Sequence, residues 1–440
     1  MSQDERYVVL GLARPRTEWF NELGRWATSA VLPLEYIKSL GAGEVRARLD
    51  SGRTFSALIV ESDVPGLDRD LIDGALARGC AVIVIDDARV DRDWAALGVS
   101  AVLSPGFDRD QLLSVLDQFA TGVGNRIAHR ATTNPTNPTE VNGWRGRFVS
   151  VTGPGGSGSS TIAAALAQVC GQDIRYERST LLADLALHAD QAVLHDTREM
   201  MPGLPELIEA HRSGAPAPEQ VREGCFSIDG SPYDLLAGLR RHRDWTGLRP
   251  RAVDAALDGL QHAYGMTVAD IEPDVEGEAQ CGSIDVEERN LLARQSALRS
   301  DAVIVVGQPS TVGVHRLLGL VLELIELGVM APRIVPVLNR APRSMSRRGE
   351  LTRAVSTLLE TATGTRVGPF AGPIFLPTRR RVETARRDGE LLPRELGRPL
   401  LAALDAVLDA VDPHPGISPA EPVSVTPGSI GHLSDPDPSI

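Results

Sequence analysis

Lysine is almost missing from this chain: Lys38 is its one lysine, and the other basic residues are arginine and histidine. Such replacement fits a GC-rich coding sequence better than a mechanism, but it excludes a lysine contact to phosphate anywhere far from Lys38. Cysteine is scarce too. Cys80, Cys170, Cys225 and Cys281 lie far apart with no C-x-x-C pair, which argues against a zinc site and for reduced, mostly buried thiols in a cytoplasmic protein. No apolar run reaches the roughly 20 residues that cross a bilayer. The most apolar helix candidate, Val314 to Val329, is interrupted by Arg316, Glu323 and Glu326. Met1 to Arg6 runs straight into a strand-like segment, unlike a signal peptide. Positive charge is in deficit: 45 basic against 58 acidic residues give a net charge of −13. Non-specific DNA affinity comes mostly from phosphate neutralisation, so nucleic acid is a poor candidate partner.

The pattern of what remains predicts an α/β protein of two doubly wound, mainly parallel units. Over residues 1–120, apolar runs at Tyr7–Ala13, Ala57–Val60, Ala81–Ile85 and Ala101–Leu103, with a weaker one at Ala30–Leu34, predict a five-stranded sheet. Helical patterns at Glu18–Thr28, Gly43–Asp50, Arg69–Arg78, Asp91–Leu97 and Arg109–Phe119 separate them. Residues 121–143, rich in Asn, Thr, Pro and Gly, read as a flexible linker. The second unit spans 144–411, with strands expected at Phe148–Val151, Ser179–Ala183, Gln191–Leu194, Thr267–Asp270, Ala302–Val306 and Ile334–Leu338. Residues 412–440, rich in Pro, Ser, Asp and Gly, read as a disordered tail.

The chemistry-bearing segment is Gly153-Pro-Gly155-Gly156-Ser157-Gly158-Ser159-Ser160-Thr161, between a hydrophobic strand and a helix of small residues. Glycines let the backbone approach a phosphate. Their N–H groups and the helix N-terminus form an anion nest. The Ser160 hydroxyl sits where Mg²⁺ would be ligated. The position where a lysine would reach the terminal phosphates holds Ser159. The loop alone leaves two readings open, a phosphate cradle or a glycine turn without a ligand. Asp184 and Asp270 end strand candidates on the ligand-binding edge of such a sheet, where an acid holds Mg²⁺ or its waters. Asn339, followed by Arg340, lies directly after another strand candidate and is placed to meet an adenine edge.

The order and spacing of these four elements, over about residues 147–410, resembles the MinD/ParA family of P-loop ATPases. The resemblance implies ATP or ADP with Mg²⁺ as ligand. It makes Gly153 to Thr161, Asn339 and Arg340 nucleotide contacts, and Ser160, Asp184 and Asp270 the Mg²⁺ side. Both lysines of the family's loop are absent. Asp184-Leu-Ala186 lacks the second acid of the family's D-x-D. Ile374-Phe-Leu-Pro377 and Arg386-Arg-Asp-Gly-Glu-Leu-Leu392 are similar to the family's closing segment.

Residues 1–120 resemble a receiver (CheY-like) domain. Glu61-Ser-Asp-Val-Pro65-Gly66 stands where receivers carry D-x-x-M-P-G, so Glu61 occupies the phospho-acceptor position. The acidic pair and the lysine of receivers are absent, which implies a pseudo-receiver used for docking or pairing. A flavodoxin-like domain of other descent remains the alternative. The pairing of the two units is similar to the CpaE/TadZ group of Tad pilus systems, and most similar to actinobacterial septum-site-determining proteins. That resemblance implies a positioning or assembly role at a septum or a pilus, a homodimer, division or pilus secretion machinery as partners, and the inner face of the membrane as location. MinD-type membrane binding uses a basic C-terminal helix; this chain ends in an acidic, proline-rich segment, which leaves only a peripheral association. Expected hydrolysis is very weak or absent. The alternatives are an active ATPase with an arginine in place of lysine, for which Arg240, Arg241 and Arg243 are the candidates, and a DNA-partition protein. The arginines of 379–387 form a basic patch in this acidic chain. His188 and His195 read as isolated structural residues.

Overall fold

The computed structural model describes residues 7–29, 32–90, 92–122, 144–177, 179–197, 201–363 and 372–411. Nearly all of the expected linker, and all of the expected tail, lie outside them.

The first sheet contains β1 (Tyr7–Leu12), β2 (Leu34–Ser39), β3 (Ala57–Glu61), β4 (Ala81–Ile85) and β5 (Ala101–Leu103). Its order is β2-β1-β3-β4-β5, all parallel, a doubly wound arrangement. Helices α1 (Glu18–Thr28), α2 (Ala42–Asp50), α3 (Arg69–Leu76) and α4 (Arg109–Phe119) cover both faces. Val9, Ile59 and Ile83 pack on one face with α1 and α4; Leu10, Leu58 and Val82 pack on the other with α2 and α3. This two-sided burial explains why the inner strands are continuously apolar.

Two expectations fail here. The second strand is Leu34–Ser39; of the expected Ala30–Leu34, residues 30 and 31 lie outside the described residues, and 32 and 33 are not strand. This strand is the sheet edge, and an edge tolerates Glu35 and Lys38, so it leaves no apolar run to read. Of the expected helix Asp91–Leu97, Asp91 lies outside the described residues, and residues 92–97 form no helix, with turns over 94–97. There the buried Trp94 anchors the segment by donating its indole N–H to Asp86 Oδ2 at 3.1 Å.

The second sheet has the order β13-β12-β11-β6-β10-β7-β9-β8. Its strands are β6 (Arg147–Thr152), β7 (Thr180–Asp184), β8 (Phe226–Ser227), β9 (Asp234–Leu236), β10 (Met266–Asp270), β11 (Ala302–Gly307), β12 (Ile334–Ala341) and β13 (Ile374–Pro377). All neighbours pair in parallel except β8 with β9. The helices are α5 (Ser159–Gly171), α6 (Gln191–Leu194), α7 (Leu204–Ser213), α8 (Pro218–Glu223), α9 (Pro250–Ala263), α10 (Glu278–Cys281), α11 (Ile284–Arg289), α12 (Leu291–Arg299), α13 (Thr311–Leu327), α14 (Met345–Thr363), α15 (Arg380–Arg387) and α16 (Arg394–Val411). Among the described residues, no helix is long and apolar enough to cross a membrane. The stripe Leu400, Leu404 and Leu408 on α16 packs into the core beside Ile162 and Leu166 of α5.

Gln191–Leu194 is a helix, not the expected strand. Its first N–H is held by the Asp184 carboxylate at 2.8 Å, which starts a turn that sequence pattern cannot see. The central strand β6 lies between β10 and β11. Its carboxyl end is a crevice where strand order reverses, the place where open α/β sheets hold ligands.

Candidate functional site

The glycine-rich loop leaves β6 and enters α5 at that crevice. Gly156 and Gly158 adopt φ of +78° and +90°, conformations costly to residues with a Cβ. A Cβ on Gly153 would lie 2.3 Å from the Val306 carbonyl, so the loop base is packed too tightly for a side chain. A Cβ on Gly155 or Gly156 would meet nothing within 4 Å, so the rim is open. The Ser157 N–H closes the turn on the Pro154 carbonyl at 3.0 Å. No backbone carbonyl engages the N–H groups of Gly156, Gly158, Ser159 or Ser160 among the described residues. These free donors, an open rim and the 13-residue helix α5 behind them fit a phosphate.

Side chains just past β11 and on β12 brace the loop by its carbonyls. Gln308 donates Nε2 to Gly156 O at 2.8 Å, and Asn339 donates Nδ2 to Ser157 O at 2.8 Å. Arg340 extends Nη1 toward Gly156 O at 3.4 Å. Holding carbonyls outward leaves the amides facing the crevice. Asn339 lies within β12, not after it, and its amide is committed to the loop. Arg340, at φ +55°, is strained into its position beside it.

Ser159, where a lysine would stand, is half-buried and makes no side-chain hydrogen bond among the described residues. Positive charge reaches the site from elsewhere. Arg386 of α15 donates Nη1 to Thr161 Oγ1 at 2.7 Å. Arg240 pairs instead with Glu206, while Arg241 and Arg243 are exposed.

The two strand-end acids differ. Asp184 is fully buried, and its oxygens accept the N–H of Gln191 at 2.8 Å and of Ala186 at 3.4 Å. Burial, then the nearby Asp270 charge, pushes it well above the ordinary carboxylate range. Asp270 is 3% exposed, accepts a hydrogen bond from Gln191 Nε2 at 2.7 Å and faces the Ser160 hydroxyl. Burial pushes it up to about 6, against the pull of Gln191 and Ser160. Ser160 and Asp270 are therefore the pair that fits Mg²⁺, whereas Asp184 serves as a backbone clip. Among the described residues no cluster of three His, Cys, Asp or Glu side chains stands ready to hold a metal.

Gln191 is the residue that sequence reasoning missed. Its buried amide bridges Asp270 Oδ2 and the Ser160 carbonyl, the latter at 3.0 Å, and its Oε1 is buried without a partner. No spacing or motif marks it.

Of the histidines, His188 bonds Glu272 and stacks on His242, and His195 Nε2 meets the Tyr233 hydroxyl at 2.7 Å, so neither is isolated. In the first unit, Glu61 accepts the Arg14 N–H and the Thr17 hydroxyl, each at 3.1 Å.

No protein-family model matches the chain, and no curated protein does. Its structural neighbours are ParA/MinD-family P-loop ATPases at low identity. They include the ParA family ATPase of Chlorobium tepidum (17% identity, TM-score 0.44, 60% of this chain and 98% of that one). They also include a Cyanothece McdA–ATP complex (19%, 0.42, 61% and 96%). A third is the septum site-determining protein MinD of Pyrococcus horikoshii with Mg-ADP (17%, 0.42, 60% and 96%).

Proposed function

We propose that this chain is a ParA/MinD-like positioning protein that binds ATP or ADP with Mg²⁺ and hydrolyses ATP very slowly or not at all. The observation that carries this reading is Ser159, a short neutral side chain where a cation would stabilise the transferred phosphoryl group. Removing one preorganised donor typically lowers rate by about 10²–10³. The Asp184 carboxylate, already held by two backbone amides, is poorly placed to help. The test is calorimetry with ATP·Mg²⁺ alongside a phosphate-release assay. Nucleotide binding with negligible release is expected; turnover of about one per second, ordinary for phosphoryl transfer, would overturn it.

In the cell this reading places the protein at septum-site determination or Tad pilus localisation, acting as a homodimer that forms without nucleotide. Residues 1–120, with Glu61 fixed in the acceptor position, form its docking unit, and 144–411 its nucleotide unit. Light scattering without nucleotide should show a dimer. Fluorescent fusions of wild type and Gly156→Arg, which blocks the loop rim, should differ in localisation if nucleotide directs placement. A second reading, hydrolysis with Arg386 standing in for lysine, is favoured by its contact with Thr161. Under it, Arg386→Ala abolishes phosphate release.

A further inference from the structure

Beside the loop lies a cavity of about 90 Å³ between the loop and the start of α13. Its lining includes Gly155, Ser157, Gln308, Ser310, Val312 and Arg316, and no carboxylate. No lining carboxylate repels an anion there. Ser157 is 3% exposed, and its hydroxyl is buried with no hydrogen-bond partner. A buried hydroxyl without a partner calls for a ligand or water. Across the cavity, α13 is a 17-residue helix whose N-terminal dipole favours an anion. The Ser310 hydroxyl caps the Gly313 N–H at 3.1 Å, and no backbone carbonyl engages the Val312 N–H among the described residues. Arg316, in the second turn of that helix, is exposed and makes no ion pair or hydrogen bond among the described residues. The volume holds a few waters, the bulk of one tetrahedral anion.

We propose that this cavity is a second oxyanion pocket that takes a tetrahedral phosphate, and that Arg316 supplies there the cation the loop lacks. The phosphate comes either from solution or from the terminal group of a nucleotide seated in the loop; only the second source rests on the function proposed above. Ser157 donates to the anion, the α13 N-terminus faces it, and Arg316 closes over it from the open side.

The test is isothermal titration calorimetry of the full chain with inorganic phosphate, ADP·Mg²⁺ and ATP·Mg²⁺, on wild type, Arg316→Gln, Arg316→Lys and Ser157→Ala. Hydrogen bonds to charged groups are typically worth enough that Arg316→Gln should weaken the phosphate-bearing ligand about ten-fold or more. Arg316→Lys should recover part of that loss, and ADP should be unaffected. Loss confined to inorganic phosphate identifies the free anion as ligand; loss confined to ATP identifies the terminal phosphate. Phosphate and ATP affinities both unchanged by Arg316→Gln, or no binding of either by wild type at millimolar concentration, overturn the pocket. Phosphate binding that needs Arg316, with no binding of either nucleotide, sinks the nucleotide reading and leaves the pocket standing. ADP binding by wild type, with phosphate and ATP affinities both untouched by Arg316→Gln, does the reverse. Arg316 is exposed, so its substitution leaves the fold intact, and circular dichroism checks this.

Discussion

A buried carboxylate held near its own protonation point is the clearest residue-scale signature of this site. The folded-state value of Asp270, about 6, lies above its ordinary 3.8. Below about pH 4 both folded and unfolded chains hold the proton, and the group costs nothing. As pH rises from about 4 through about 6, the folded state loses stability, and above that the full cost remains, ~2–3 kcal/mol. Asp270→Asn should therefore raise the melting temperature at pH 7 to 8 and leave it nearly unchanged at pH 4, as differential scanning calorimetry would show. Gly158→Ala should do the opposite. Its φ of +90° is strained for alanine, and its Cβ would sit 2.6 Å from Asn339 Nδ2. A loss of ~1–2 kcal/mol in urea unfolding, with weaker nucleotide binding, is expected. Ser159, Ser160 and Asp270 were legible in the sequence because a loop after a strand and an acid at a strand end are local patterns. Gln191 was not, because its role arises only when residues 160, 184 and 270 meet in space.

Among the elements, contact between α5 and α16 sets the back wall of the site. Gly397 permits it: a Cβ there would lie 2.4 Å from Val169 Cγ1 and 2.6 Å from the Ala165 carbonyl. Gly397→Val should cost about 1–3 kcal/mol by overpacking. It should also loosen α5, which proteolysis of the loop region would report as faster cleavage. Strands buried on both faces, such as β4 and β11, announced themselves as apolar runs. Edge and near-edge strands did not. Leu34–Ser39 is polar because one side is solvent, while Phe226–Ser227 and Asp234–Leu236 are too short for any period to show.

For the whole molecule, the two sheets are joined through α3. Arg69 donates to the carbonyls of His211 and Gly214, each at 2.9 Å, at the end of α7. Asp68, 6% exposed, lies between Arg46 at 2.8 Å and Arg212 at 3.3 Å. The Arg251 N–H, at the start of α9, meets Asp70 Oδ1 at 3.1 Å. Nothing in the sequence pattern marked this junction, since its residues read as ordinary surface charges. Arg69→Ala should weaken docking by ~2 kcal/mol, seen as a single thermal transition splitting into two. The helix that docks begins eight residues after Glu61, so Glu61 and the junction share one short segment.

That junction also decides who else can use α3. Because both halves belong to one polypeptide, each meets the other at an effective concentration on the order of millimolar. A surface of modest intrinsic strength then stays occupied from within. Any outside protein that competes for it must be present well above its own dissociation constant for α3, and a binding survey with the intact chain would overlook it. Offering the N-terminal half alone would expose the competitor.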